Sequence, residues 1–338
     1  MSGSLTILRA GPGMTVQDLG RPGWLEYGVS RGGAADRLAL AEGAALLGQG
    51  ADLAAVEMAG LGGEFQAGSD LRIALTGAPM RASIDGTAAA WNASHLLPAG
   101  ARLTIGAARS GSYGYLHVGG GFHTPVHLGA RSAHLAAGIG AALAQGGVLE
   151  TGPDGGQGTG LGLAPDDRFE GGTVRVVASL QTALFPQAEL ERFEGTAFRR
   201  GARGNRMGVP LESDGEGFRP DGARTVVSEV IVPGDIQVTG DGTPYVLLSE
   251  CQTTGGYPRI GTVLPCDLPL LAQSAAGAEL RFRFIPLEEA VGLERAEAER
   301  REGLRGRCHP LIRDPRSMSN LLSYQLISGA IAGEEDVL

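Results

Sequence analysis

Hydrophobic residues in this chain fall mostly into short runs of four to eight residues that are separated by glycine, proline and aspartate. Short runs between turn-forming residues are typical of the strands of barrels and sandwiches. The clearest runs span positions 70–76, 101–107, 114–118, 173–178, 225–232, 235–238, 245–249 and 279–285. The pattern therefore predicts a mainly β protein with a few helices.

Three segments depart from this pattern and predict helices. Apolar positions recur with helical spacing after Asp36, whose carboxylate is favourable at a helix start. The charged segment 286–304 predicts a second helix. Beyond Pro310 and Pro315, residues 319–329 predict one short helix that needs a surface to bury against. That surface is either the helix's own lobe, or a partner subunit or second copy of the chain.

A weak internal repeat predicts two similarly folded lobes. Positions 55–66, 99–106 and 36–40 resemble positions 227–238, 276–283 and 205–211, with nearly the same spacing. The predicted organisation is a first lobe over 1–150, a glycine-rich linker or loop over 151–167, a second lobe over 168–300, and a C-terminal extension with a short helix over 301–338.

Charge and composition exclude several classes of partner. The formal net charge of −9 over 338 residues argues against nucleic acid or an anionic membrane as a partner. No apolar run approaches the roughly 20 residues that cross a bilayer, and no secretory signal is visible at the start. Cys251, Cys266 and Cys308 are an odd number without CxxC spacing. We therefore expect reduced thiols in a cytoplasmic protein, with no disulfide or zinc site.

All 28 basic residues are arginine, and the chain contains no lysine. A P-loop of the GxxxxGK[ST] type and a Schiff base on a lysine side chain are therefore excluded. The chain also cannot carry covalently bound biotin, because biotin is attached to lysine. Any phosphate must be held by arginine, backbone N–H groups or a metal.

The least ordinary stretch runs from Cys251 to Val263, between two apolar runs. Gly255 and Gly256 permit a positive φ and close approach of another backbone or a ligand. The neighbouring side chains that can contact a ligand are Gln252, Thr253, Thr254, Tyr257 and Arg259. Two interpretations remain open, namely recognition of a carboxylate, amide or phosphate, and a solvent-facing polar hairpin.

Three further glycine-bounded loops carry candidate binding residues. Asn205 and Arg206 could hold an oxyanion, or they could belong to a solvated loop. Arg131 follows a stretch with several histidines, but Pro125 and the lack of acidic neighbours argue against metal binding there. Ser30 precedes the first predicted helix, whose N-terminus could bind an anion. We expect no metal site.

In order, five segments of this sequence resemble the allophanate hydrolase subunit 2 family, also named biotin-dependent carboxyltransferase or urea amidolyase-related. They are TVQDLGRPGWLEYGVSRGGAAD, YLHVGGGFHTPVHLGARSAHLAAGIG, GNRMGV, SEVIVPGDIQV and CQTTGGYPRIGTVLPCDLPLLAQ. The resemblance spans about residues 5 to 290 and implies two tandem cyclophilin-like β-barrel lobes.

The resemblance also implies a function and partners. The leading expectation is a subunit of an ATP-dependent 5-oxoprolinase that opens the lactam of 5-oxoproline to glutamate. Subunits A and B would be its partners, and ATP with Mg²⁺ would act at the level of the complex. Two alternatives stay open: carboxyl transfer to urea or allophanate with biotin on another chain, and a non-catalytic regulatory binding protein.

The expected site residues follow from the same segments. The expected catalytic residues are Gln252, Thr253, Thr254 and Arg206. The expected substrate-binding residues are Asn205, Gly255, Gly256, Tyr257, Arg131 and Ser30.

Overall fold

The computed structural model describes residues 3–221 and 226–312. The strands of the first half are β1 Ser4–Arg9, β2 Thr15–Gln17, β3 Ala55–Ala59, β4 Glu64–Ala67, β5 Leu71–Gly77, β6 Met80–Ile84, β7 Thr87–Ala89, β8 Ala93–Leu97, β9 Arg102–Ala108, β10 Tyr113–Val118, β11 Val148–Glu150 and β12 Leu161–Gly162. Those of the second half are β13 Gly172–Val177, β14 Phe198–Arg200, β15 Gly208–Glu212, β16 Glu229–Val230, β17 Asp235–Val238, β18 Pro244–Leu247, β19 Thr254–Gly255, β20 Arg259–Val263, β21 Glu279–Phe284 and β22 His309–Pro310. The α-helices are α1 Arg37–Leu47, α2 Gln187–Gly195, α3 Leu268–Gln273, α4 Leu287–Glu302 and α5 Leu304–Arg307.

The first lobe is built from two sheets that share one core. The six-stranded sheet has the order β11-β1-β4-β9-β6-β7, and the seven-stranded sheet has the order β2-β3-β10-β5-β8-β12-β22. Side chains such as Phe65 and Leu103 from the first sheet pack with Ile73 and Leu116 from the second. Because β22 pairs with β12, the segment after the second lobe returns to the first.

The second lobe is a closed barrel of seven strands in the order β13-β20-β17-β18-β15-β14-β21. Its core is aromatic around Phe193 of α2, whose ring centroid lies 5.1 Å from that of Phe198 and 5.2 Å from that of Phe282. Burying several large rings in one cluster accounts for much of the apolar area that stabilises a small barrel.

The predicted mainly β fold is confirmed, and most predicted elements lie where the sequence pattern placed them. The carboxylate of Asp36 accepts a hydrogen bond from the Ala39 N–H and caps α1, as its position predicted. The run 225–232 is an exception, since among its described residues, 226–232, only Glu229–Val230 forms a strand. In the described part of the chain this strand pairs with β19, outside the barrel, and Val227 beside it is exposed.

The predicted linker 151–167 is more ordered than its composition suggests, because β12 lies within it and Leu163 is buried. The predicted helix 319–329 lies outside the described residues. Across the described residues, no helix has both the length and the apolar character to cross a membrane.

The two lobes meet along α1 through buried polar contacts. Gln273 of α3 donates to the Asp36 carboxylate at 2.8 Å and to the Tyr113 carbonyl at 2.8 Å. Arg168 donates to Asp36 at 2.8 Å and forms a bidentate pair with Glu42 of α1. Such contacts need complementary partners from both lobes, so the junction has one specific geometry.

Candidate functional site at the junction of the two lobes

Arg206 crosses from the second lobe into the first, in the turn between β14 and β15. Its Nε donates to Glu250 Oε1 at 2.6 Å, its Nη1 pairs with Glu57, and its Nη2 donates to the Gly33 carbonyl at 2.6 Å. The side chain is only 12% exposed. Each guanidinium nitrogen therefore already has a protein acceptor.

Glu57 on β3 is the other centre of this network. Its Oε2 accepts from the Tyr115 hydroxyl at 2.6 Å and from the Ala35 N–H at 2.8 Å. The Tyr115 hydroxyl in turn accepts from the Asp36 N–H at 2.8 Å. Burial, and secondarily the Glu57 charge, raises the pKa of Tyr115 well above its ordinary value, so the phenol stays protonated.

A second branch of the network contains Ser30 and His134, and the nearby Ala136 N–H donates to Glu250 at 3.1 Å. Ser30 Oγ lies 2.8 Å from His134 Nε2, while His134 Nδ1 accepts from the Ala137 N–H at 3.2 Å. Burial is the main cause that lowers the pKa of His134, so the ring is neutral and its proton lies on Nε2. A general base needs an unprotonated Nε2 facing the serine. His134 therefore does not activate Ser30 as a nucleophile in this state.

A cavity of about 330 Å³ opens beside this network, between the two lobes. Much of its wall is apolar and comes from both lobes and the segments between them, including Trp24, Leu25, Leu38, Val232, Leu248 and Leu268. Its charged lining consists of Arg21, Arg31, Arg37, Arg301 and a single acidic residue, Glu297. Ser30 and Ser249 add hydroxyl groups.

Two fully buried polar atoms of cavity-lining residues have no hydrogen-bond partner among the described residues. They are Arg21 Nη1 and Ser249 Oγ. The other Arg21 donors contact the His127 carbonyl and Ser132, and the residue is 1% exposed. Arg37 has neither an ion pair nor a side-chain hydrogen bond within the described residues, and burial lowers its pKa to about 10. Arg37 thus stays charged at neutral pH.

The Gln-Thr-Thr-Gly-Gly-Tyr-Pro loop lies next to the cavity without lining it. Thr254 and Gly255 pair with Glu229 and Val230, and the Thr253 carbonyl accepts from the Ile231 N–H at 3.0 Å. The neighbouring Val232 lines the cavity. Gln252 and Tyr257 are exposed. The centre of the loop is thus hydrogen-bonded to residues 229–231, whereas the side chains nearer its two ends, Gln252 and Tyr257, are exposed.

The glycines of this loop serve close approach and not a positive φ. Neither Gly255 nor Gly256 has a φ in the left-handed region. A Cβ at Gly255 would overlap the Gln237 amide nitrogen, which has no hydrogen-bond partner in the described part of the chain. Only glycine can bring the loop this near to β17.

The remaining expected site residues divide into two groups. Arg206 contacts Glu250, which accepts from the Ala136 N–H at 3.1 Å, and Ser30 contacts His134 two residues before Ala136. Asn205 accepts from the Met207 N–H at 2.7 Å and so shapes the turn that carries Arg206. Arg131 donates through its backbone N–H to Asp18 and through Nη1 to the Thr124 carbonyl. Arg131 therefore stabilises its own loop and is not among the cavity-lining residues.

The predicted anion site at the start of α1 is already occupied by protein groups. The Ala35, Asp36 and Ala39 N–H groups donate to Glu57, Tyr115 and Asp36 respectively. Ionised carboxylates and a hydroxyl at a helix N-terminus satisfy the same donors that an anion would use.

Sequence patterns did not identify Glu57, Tyr115, Glu250, Arg21 or Arg37 as site residues. Glu57 and Tyr115 lie within apolar strands, where their neighbours indicate core packing. A charged residue inside such a strand is itself a signal, because an ionised group is buried only with a partner. Arg21 and Arg37 flank the segment that contains Ser30. The sequence alone does not show that both arginines line the same cavity.

Metal and thiol chemistry receive no support from the described residues. They contain no cluster of three or more His, Cys, Asp or Glu side chains that could hold a metal ion. Burial raises the pKa of Cys251 to about 12, so its thiol is protonated at neutral pH.

Comparison with known proteins gives three findings. A family model described as "Carboxyltransferase domain, subdomain A and B" matches residues 27–284. The C subunit of 5-oxoprolinase from Escherichia coli K12 is 33% identical over 317 residues, which is 90% of this chain and 99% of that protein. The crystal structure of TTHA0988 matches 83% of this chain with a TM-score of 0.75 and 29% identity, and the match covers 56% of TTHA0988.

A more distant solved structure shows the fold alone. The urea amidolyase of Kluyveromyces lactis matches 92% of this chain with a TM-score of 0.79 at 21% identity, and the match covers 21% of that enzyme.

Proposed function

This chain belongs to the carboxyltransferase domain family, subdomains A and B, and from this we propose that it is the C subunit of an ATP-dependent 5-oxoprolinase. In that role it would help to open the lactam of 5-oxoproline to glutamate, together with subunits A and B in the cytoplasm. ATP with Mg²⁺ would be used by the assembled complex.

The observation that supports this proposal most strongly is the 33% identity to the C subunit of the E. coli 5-oxoprolinase over 99% of that protein. A match over the whole length of the relative leaves no additional domain of the relative unmatched. The catalytic contribution of the single chain is a separate part of the proposal.

The chemistry of the junction is compatible with a lactam substrate. A lactam is a stable amide, and phosphorylating its oxygen would make the ring carbon open to attack by water. Such a path needs hydrogen-bond donors for the developing negative charge and polar groups around the ring amide. The cavity offers guanidinium groups and two serine hydroxyls within an otherwise largely apolar wall.

We assign the expected site residues to roles on this basis. Ser30 would contact the substrate directly, because it lines the cavity. Gln252, Thr253 and Thr254 would close over the substrate from the neighbouring loop, with Gly255 and Gly256 allowing close approach and Tyr257 shaping the entrance. Arg206, oriented by Asn205, would act as a positioning residue that holds Glu250 and the first lobe in register. Arg131 would keep the adjacent loop in place.

Reconstitution of the complex tests the function. The full chain is combined with subunits A and B, and glutamate and ADP are measured with 5-oxoproline, with urea and without substrate. We expect both products with 5-oxoproline only. If 5-oxoproline gives neither glutamate nor stimulated ATP hydrolysis, the proposed function is wrong.

Carboxyl transfer is the second candidate, and the description of the matched family favours it. The chain has no lysine, so biotin would have to arrive on another protein. Carboxyl transfer predicts that avidin and the omission of bicarbonate both abolish turnover of the complex with urea. Hydrolysis of 5-oxoproline that is insensitive to avidin contradicts it.

A further inference from the structure

We propose that the cavity between the lobes is a binding site for a small carboxylate, whose negative charge is held by Arg37. The identification of that carboxylate as 5-oxoproline rests on the proposed function, whereas the site itself rests on the charges and geometry of the cavity.

The charge of the cavity is opposite to that of the chain. The formal net charge of the chain is −9, yet the cavity is lined by four arginines and one acidic residue. That residue, Glu297, pairs with Arg300 at 2.6 Å and lies 3.6 Å from Arg301. It therefore leaves Arg37 without a salt bridge in the described part of the chain. Positive charge of this kind in a concave site attracts anions.

Arg21 gives an independent indication. The residue is 1% exposed, lines the cavity, and has an Nη1 without any hydrogen-bond partner among the described residues. Leaving a buried charged donor unsatisfied costs the desolvation free energy of that group. The other arginine nitrogens are held by the His127 carbonyl and Ser132, so the position of the free nitrogen is fixed. That nitrogen is fully buried in the wall, so Arg21 contributes positive charge to the cavity and not a direct hydrogen bond to a ligand.

The lining of the cavity limits the class of ligand. Its volume of about 330 Å³ is at the lower end for ligand pockets, which range over roughly 300–1,000 Å³. This favours a small molecule over a nucleotide. The apolar wall suits a compact ring or short chain. A planar carboxylate matches the fork geometry of a guanidinium.

The test is direct binding by the full-length chain, measured by titration calorimetry. The ligands are 5-oxoproline, the open-chain analogue N-acetylglycine, 2-pyrrolidinone (the same ring without a carboxylate) and inorganic phosphate. We expect the two carboxylates to bind and 2-pyrrolidinone to bind on the order of tenfold to a hundredfold more weakly, as for the loss of a charge-assisted hydrogen bond.

Variants locate the charge. Arg37→Gln should weaken binding of both carboxylates by a similar factor and leave binding of 2-pyrrolidinone unchanged. Arg21→Lys, which keeps the positive charge in the wall of the cavity, should weaken binding much less than Arg37→Gln. The control is Arg102→Gln on β9, whose side chain is 59% exposed and should not affect binding.

Three results would overturn the inference: no binding of either carboxylate, phosphate binding as tight as the carboxylates, or unchanged carboxylate affinity in Arg37→Gln. The reconstituted complex separates this inference from the proposed function. Glutamate production with an unchanged KM in Arg37→Gln would overturn the inference and leave the function standing. Binding of carboxylates through Arg37, in a chain whose complex makes no glutamate, would support the inference and contradict the function.

Discussion

Two sets of charged residues meet at the lobe junction, and they differ in whether the protein itself satisfies them. Around Glu57 and Arg206, every guanidinium nitrogen and both Glu57 oxygens have a partner. A short distance away, Arg21 keeps an unpartnered nitrogen, and Arg37 has no salt bridge within residues 3–221 and 226–312. Both sets bring charge to the junction, but only the second has donors left for a ligand. The lack of a hydrogen-bond or ion-pair partner therefore distinguishes a binding site from a structural network better than burial does.

The largest expected effect on stability comes from removing Arg206 from the network around Glu57, in which each charged group has a partner. Arg206→Met should lower the free energy of unfolding by about 3–5 kcal/mol, because it leaves Glu57 and Glu250 buried without their counter-charge. Denaturant unfolding measures the change. Arg199→Met, which removes an exposed pair with Asp214, serves as the matched control and should change stability far less. Equal losses in the two variants would show that the network is not structural.

The next effect tests the packing of α1, which begins with Arg37 of the second set. Gly43 lies against the His117 ring, and an added Cβ would overlap it. Gly43→Ala should therefore destabilise the protein by about 1–3 kcal/mol, although alanine favours a helix. Gly292→Ala in exposed α4 meets no neighbour and should stabilise by about 0.5–1 kcal/mol. Thermal unfolding of the pair gives the comparison, and a stabilising Gly43→Ala would contradict this packing.

Several parts of this architecture follow from sequence, and the reasons are local. Asp36 identifies the start of α1 because a cap and the helix it precedes are adjacent in the chain. Ser30 and Arg206 were placed in the site by the glycine-bounded loops around them, and the structure brings both to the junction. Glu57 was not identified, because its partner Arg206 lies 149 positions away and the surrounding strand pattern indicates core. Residues that are neighbours in the sequence predict where helices and loops lie, whereas ion pairs between the lobes depend on the tertiary fold.

A smaller effect concerns His117, a buried side chain that, like Glu57 and Arg206, has a hydrogen-bond partner within the protein. Its Nε2 lies 2.8 Å from Thr76 Oγ1, whose own proton is donated to the Ala39 carbonyl, so the ring donates and is neutral. Burial lowers its pKa to about 3, against 6.5 in the unfolded chain. The unfolded state therefore binds more protons below pH 6.5, and stability falls as the pH falls.

The corresponding measurement is the free energy of unfolding between pH 8 and pH 5.5. His117 should contribute a loss of about 1.4 kcal/mol over this range. His117→Gln should remove that contribution and give a flatter pH dependence than the wild-type chain. Parallel curves for the two proteins would show that the histidine is not buried in its neutral form.

The smallest expected effect on stability completes the contrast. Arg37→Gln should cause no loss in the free energy of unfolding, because no ion pair in the described part of the chain depends on this arginine. The burial that lowers the pKa of Arg37 to about 10 makes its charge unfavourable in the folded state, so the variant should be at least as stable as the wild-type chain. Unfolding curves of the variant and the wild-type chain without ligand provide the measurement. A loss comparable to that of Arg206→Met would place Arg37 among the structural charges and remove the distinction between the two sets.

The wide sequence separation of the junction contacts also bears on the order of folding. The Glu57–Arg206 pair joins residues 149 positions apart, and the Asp36–Gln273 hydrogen bond joins residues 237 positions apart. Closing such long loops costs chain entropy before any contact forms, so we expect these bonds to form after the sheets on either side. Substitutions at the junction should then accelerate unfolding and leave the refolding rate nearly unchanged. The lifetime of the native chain, more than the speed of its formation, is set where the two lobes meet.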